Sequence, residues 1–304
     1  MKKFPLFRDT SASFQLFLFL GLLLFGALFG MLIGFIIVQF TQGVNIFTSG
    51  INLLDAGNLN AAIILQISTQ LGLFILPPFL FSWLVSENPL TFLGWNSFSE
   101  KKIFIPAILL MFASLPFIHS LAQLNQMIQL PEWLSGLESW MQQKEEEAER
   151  MTQLFLNVTT INSLLINLLM IGLLPALGEE LVFRSIFQPV LARLLKNKHL
   201  GIIFAALVFS LMHFQFYGLI PRFALGLFLG YFYHWSGSIW VPVVMHLANN
   251  AAAVIAYYLH FNGFTDTPMD EFGASSGNFL FISSAIFSGL LLIIASRFYK
   301  IKSQ

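Results

Sequence analysis

Between Phe14 and Phe40 the chain carries no charged residue. An uninterrupted apolar run of this kind is long enough to cross the hydrocarbon core of a bilayer as an α-helix, which takes roughly 20 residues. The apolar region of a cleavable signal peptide is only about 7–15 residues, so this run reads as a retained first crossing despite the basic start at Lys2, Lys3 and Arg8. Inside hydrocarbon every backbone N–H and C=O must find its partner within the protein, and that restricts the segment to helix. The rest of the chain follows suit. Of its residues 57% are hydrophobic and 10% are charged, whereas a soluble domain carries about a quarter charged residues. Too few charges remain to cover a water-facing surface.

Apolar segments at about 14–40, 61–85, 103–123, 160–187, 200–217, 220–235, 239–260 and 279–297 predict an all-α, polytopic transmembrane helical bundle of about eight crossings. Polar linkers separate them: a Gly/Asn-rich one from Asn45 to Asn60, a turn region from Glu87 to Lys102, and an acidic, Gly/Ser-rich one from Asn262 to Asn278. The stretch 124–158 differs. It holds Trp133, Trp140 and the acidic run Glu145 to Arg150, and reads as an interfacial helix with a solvated charged face. With the N-terminus cytoplasmic, 12 of the 15 Lys and Arg residues fall inside, and Lys144, Arg150 and Arg222 fall outside or near the outer face. This positive-inside bias favours eight crossings with both termini cytoplasmic. The topology suits a multi-pass protein of a bacterial inner (plasma) membrane. Small residues at Gly26, Gly30 and Gly34, and at Gly226 and Gly230, mark faces where helices can approach closely.

Some chemistry is excluded outright. The chain has no Cys, so disulfides, thiolate metal sites and Cys nucleophiles are absent, and a net charge of zero leaves no basic footprint for nucleic acid.

Three polar clusters interrupt the apolar helices, where a charged side chain costs at least about 2.5–3.5 kcal/mol. The first is Gly178-Glu179-Glu180-Leu181-Val182-Phe183-Arg184. Glu180 and Arg184 are four apart and can pair on one helix face, leaving Glu179 about 100° round the helix as an unpaired carboxylate. Such a group can act as a general base or acid, or as a metal ligand; a plain juxtamembrane salt bridge is the structural alternative. The second cluster places His213 four residues after Phe209, within an apolar helix. The third is His246 and Asn250, again four apart and on one face. Each could be interhelical glue by itself. Glu179 and His213 each stand 17 residues from Lys196, at the turn between two antiparallel helices. If the first helix runs unbroken to about Arg193, both reach a common depth near mid-bilayer, and His246 approaches the same layer.

These clusters resemble the signature of the CPBP family of intramembrane proteases (the CAAX-protease and bacteriocin-processing, Abi-like enzymes): Glu-Glu-x-x-x-Arg, then Phe-x-x-x-His, then His-x-x-x-Asn. All three stand complete and in order here, as Glu179-Glu180 to Arg184, Phe209 to His213 and His246 to Asn250. The resemblance covers about 160–260. It divides the chain into N-terminal transmembrane helices with an acidic external loop (1–158), a catalytic core (159–260), and an external loop with a last transmembrane helix (261–304). It implies an intramembrane endopeptidase acting on a membrane-associated protein or peptide, prenylated in the eukaryotic relatives. Carried over, Glu179 and His213 would activate water, His246 and Asn250 would stabilise the oxyanion, and Glu180 and Arg184 would position the site. Two chemistries stay open: a glutamate-based one without metal, and a metal-dependent one in which Glu179, His213 and His246 would hold zinc. The zinc-protease helix His-Glu-x-x-His is absent from the sequence. Ser210 beside His213 makes a serine protease a weaker reading, since no Gly-x-Ser-x-Gly elbow occurs. A non-enzymatic membrane protein is the alternative of a different class: a peptide-toxin immunity factor, a scaffold or a transporter.

Overall fold

A computed structural model describes residues 5–43, 53, 55–96, 101–267 and 278–302. Lys2 and Lys3, much of the 45–60 linker and most of the 262–278 loop lie outside the described residues. All regular structure among the described residues is helical. The principal helices are α1 (Ala12–Gln42), α2 (Leu59–Val85), α3 (Lys101–Ala113), α4 (Leu115–Gln126), α5 (Ser135–Leu156), α6 (Ile161–Leu194), α7 (Lys198–Leu211), α8 (Leu219–Ser236), α9 (Trp240–Phe261) and α10 (Asn278–Lys302).

Each of the eight apolar segments is helical, but the crossing count is not settled by length and composition. Five helices, α1, α2, α6, α9 and α10, are long and apolar enough to span a membrane. The pair α3–α4, bent by 45° about Ser114, makes a sixth if it is one span. Helix α7 is shorter, at 14 residues, and α8 carries Arg222 and His234 among its 18. Exposed Phe17, Leu24, Leu28 and Phe40 on α1 give it the apolar exterior of a lipid-facing helix. The molecule is an integral, multi-pass membrane protein in its helices.

Helix α1 shows why its glycines are spaced by four. A Cβ on Gly26 would stand 2.1 Å from the backbone oxygen of Gly72 in α2, and one on Gly72 would stand 2.3 Å from the oxygen of Gly26. The two backbones touch, and only hydrogen fits between them. Ser11 caps the helix by accepting from the N–H of Phe14, and Gly43 ends it at φ 67°.

Helices α2 and α6 contain wide π-type turns at Leu71–Ile75, Leu168–Leu173 and Leu181–Phe187. Each stops two residues before a proline: Pro77, Pro175 and Pro189. A proline lacks an N–H and crowds the carbonyl four residues earlier, and a widened turn relieves both conflicts without breaking the helix. Helix α6 therefore runs continuously from Ile161 to Leu194 past both glutamates.

Within 124–158 the helix read from the sequence is α5. Helix α5 has a charged, exposed face on which Lys144 hydrogen-bonds Glu147 and holds that carboxyl below its usual value. Its C-terminal end is anchored, with Phe155 packing against Ala62 and Met170 and its carbonyl accepting from Asn167 Nδ2 at 2.6 Å.

Candidate active site

The two adjacent glutamates of α6 face different surroundings. Glu180 is fully buried, as is Arg184. Glu180 Oε2 accepts from Arg184 Nε at 2.7 Å, the pair expected from their four-residue spacing. Its second oxygen, Oε1, lies 3.0 Å from Nδ1 of His246 on α9. A carboxylate can only accept, so Nδ1 of His246 carries the hydrogen and Nε2 faces away from Glu180. One side chain thus locks two helices together and fixes an imidazole. The two terminal nitrogens of Arg184 meet no acceptor among the described residues, and the guanidinium lies over the Phe209 ring at 5.2 Å instead.

Phe209 explains the aromatic position of the second motif. Its ring meets His213 edge-on at 5.1 Å and His246 at 5.9 Å, so one ring separates and orients both imidazoles. His213 is not inside a helix, as its apolar flanks suggested. Helix α7 ends at Leu211, and His213 follows in a turn where Phe214 adopts φ 52°. Its Nδ1 bonds the carbonyl of Phe209 at 2.8 Å. That nitrogen must be the donor, which leaves the lone pair of Nε2 available in the neutral ring. The turn is held from three sides. Asn125 of α4 donates to Phe216 O and accepts from Ile220 N, Glu145 of α5 accepts from Tyr217 N, and Ser210 donates to Leu219 O.

His213, His246, Asn249, Asn250 and Arg222 line one cavity of about 110 Å³, closed on its apolar side by Phe209, Met111, Leu225 and Leu229. A volume of that size holds a few water molecules. Asn250 Nδ2 donates to the carbonyl of Ile171 at 3.1 Å. Residue 175, four positions on, is a proline with no N–H to offer that carbonyl. The other amide hydrogen of Asn250 is unused in this contact, while its oxygen accepts from Asn249.

Glu179 is half-buried. It lies within Coulombic reach of His213, His246 and Arg222, and no hydrogen-bond donor among the described residues reaches its carboxylate. Its backbone level is set by Gly178, where a Cβ would stand 2.6 Å from the Cβ of Phe74 in α2.

Three residues escaped the sequence reading. Charge counting set Arg222 outside or near the outer face and gave it no task; it lines the cavity, with its terminal nitrogens donating to the carbonyl and side-chain oxygens of Gln215. Asn249 lines the cavity beside Asn250. Asn125 holds the His213 turn, and a lone polar residue near a helix end gave no signal of that task.

The zinc reading finds no support in the geometry. No group of three His, Asp or Glu side chains that could hold a metal ion occurs among the described residues, so Glu179, His213 and His246 do not form a chelating set. The name metalloprotease has no support here.

The arrangement, an acceptor carboxylate and two tautomer-fixed imidazoles about a small polar cavity among membrane helices, is compatible with the chemistry of an intramembrane hydrolase. Comparison with known proteins points the same way. Residues 161–252 match the family model of the type II CAAX prenyl endopeptidase Rce1-like proteins, a stretch that holds all three motifs. The resemblance drawn from those motifs is therefore shown over this segment, and it points to a CAAX-type intramembrane protease. A curated protein of Bacillus subtilis (strain 168), the uncharacterized protein YpbD, is 29% identical over 89 residues, which is 28% of this chain and 42% of that protein. The chain thus spans less than half the length of this relative. No solved structure gives a significant match.

Proposed function

We propose that the chain is an intramembrane endopeptidase that hydrolyses a peptide bond in a membrane-associated protein or peptide, lipidated or not, in a bacterial inner membrane. The observation that carries this reading is the separation of duties between the glutamates. Glu180 is consumed by Arg184 and His246, while Glu179 takes no hydrogen bond from a described residue and lies within Coulombic reach of the cavity-lining His213 and His246.

Peptide hydrolysis needs a base for the attacking water and donors aimed at the oxygen that becomes charged. In this proposal a water held between Glu179 and Nε2 of His213 attacks the scissile carbonyl carbon. Its proton passes to Glu179 as the tetrahedral intermediate forms. The oxyanion accepts from the second amide hydrogen of Asn250 and from Nε2–H of His246. That second donor requires the doubly protonated ring, whose positive charge the carboxylate of Glu180 supports. Collapse of the intermediate breaks the C–N bond, and Glu179 returns the proton to the leaving amine. Arg184 holds Glu180, and through it His246, in place.

The test is cleavage by purified protein of a library of lipidated and plain membrane peptides, followed by mass spectrometry. Cleavage by wild type and none by the Glu179→Gln/His213→Ala double variant supports the proposal. Equal cleavage by both, or no cleavage of any peptide class by wild type, overturns it.

A further inference from the structure

A second cavity lies where α6 ends and α7 begins, beside the end of α8. Its volume is about 610 Å³, and its walls include Gln188, Arg193, Lys196, Lys198 and His234. Lys196 lies between the two apolar helices, with Arg193 in the last turn of α6 and Lys198 at the start of α7. Arg193 also donates to Gln15 Oε1, and no carboxylate forms an ion pair with any of the three among the described residues. In a chain of zero net charge this is an uncompensated concentration of one sign.

Three further observations mark it as a binding site. Lys196 holds φ 52°, a left-handed conformation that a helix terminus ordinarily gives to glycine; a strained lysine kept there points to use of its ammonium. Gln188 is buried to 4% exposure and its Nε2 donates to Gly230 O, but its Oε1 meets no donor among the described residues. Aromatic residues of the interfacial type crowd the same end of the bundle. Trp95 meets Trp240 at 4.7 Å, and Tyr231 meets Trp235 at 5.4 Å, as expected at headgroup level.

We infer that this pocket binds the phosphate-bearing headgroup of an anionic phospholipid, with Arg193, Lys196 and Lys198 around the phosphodiester. Basic pockets between membrane helices at the cytoplasmic surface suit such headgroups. A hydroxyl-bearing headgroup such as phosphatidylglycerol would also bring a donor into the pocket that Gln188 lines.

The test uses the full chain in nanodiscs of phosphatidylcholine with about one-fifth phosphatidylglycerol, and lipid retained after detergent extraction is counted by native mass spectrometry. Wild type is expected to retain phosphatidylglycerol well above its bulk share. Lys196→Gly and Lys198→Gln should each cut the enrichment by about fivefold, as expected for one cation at an anionic surface. The Lys196→Arg/Lys198→Arg variant should keep it. Lys196→Gly should melt no lower than wild type, because glycine adopts this backbone without strain, so its loss of lipid would not be a loss of fold. Retention at the bulk ratio by wild type, or unchanged enrichment in both neutral variants, overturns the inference. Displacement of the lipid by millimolar inorganic phosphate would assign the site to a free anion and overturn the lipid source. None of these readouts requires proteolysis, so their failure is separate from that of the proposed function.

Discussion

Glu179 and Glu180 are neighbours in sequence and opposites in environment. The Glu180 side is closed: its carboxylate and the Arg184 guanidinium are fully buried, and His246 turns Nδ1 to Glu180 while the ring lines the cavity. Glu179 is half-buried, within Coulombic reach of His213, His246 and Arg222, which line the polar cavity, and its carboxylate takes no hydrogen bond from any described residue. A buried charge is tolerable only when paired and hydrogen-bonded. A reacting base must keep an oxygen free. The same helix meets both demands because adjacent residues point about 100° apart.

The comparison can be broken at several points. Removing the partner that shares water with Glu179 should cost most: His213→Ala is expected to lower kcat by about 10²–10⁴-fold, the usual scale of a lost acid–base group, with an unchanged melting temperature. On the closed side, Glu180→Gln should act on both stability and rate. Stranding Arg184 in the core is expected to cost about 3–5 kcal/mol, read as a large fall in thermal midpoint, and kcat should fall as His246 loses its counter-charge. The Glu180→Gln/Arg184→Met double variant should recover stability while activity stays low, which would separate the structural role from the positioning one. Next comes Asn250→Ala, where loss of one oxyanion donor is expected to lower kcat by about 10²-fold with little change in KM. Smallest is Trp140→Ala on α5. Its ring packs on Phe214 and Phe216, at 6.4 and 5.5 Å, beside the His213 turn. Loosening this contact should change kcat/KM by about tenfold or less, as expected for a contact remote from the chemistry. Activity should be indifferent to rigorous chelation, consistent with the absence of a chelating triad among the described residues.

Much of this comparison is local, and so was legible in the sequence. The Glu180–Arg184 pair follows from spacing on a helix, as do the shared face of His246 and Asn250 and the glycine stripe of α1 against α2. The bond from Glu180 to His246 joins residues 66 positions apart, and periodicity carries no information about it. Widened turns before Pro175 and Pro189 shift the phase of α6, so the faces of an ideal helix are only approximate there. Charge counting treats an arginine only as a marker of the membrane surface, so it gave no sign that Arg222 lines the cavity. The His213 turn was read as helix because its flanks are apolar; Phe214 at φ 52° ends the helix through backbone conformation, which hydropathy does not register. Helix length and composition do not settle the count of eight crossings, for a related reason. Apolar content locates helices, but the bend at Ser114 and the short α7 depend on packing.

The most direct test of the divided roles is single-turnover cleavage by Glu179→Gln beside Glu180→Gln, with the melting temperature of each in the same detergent. The account predicts that Glu179→Gln melts like wild type and is slower by about 10³-fold or more, whereas Glu180→Gln is both slower and markedly less stable. A Glu179→Gln protein that cleaves at the wild-type rate would contradict it.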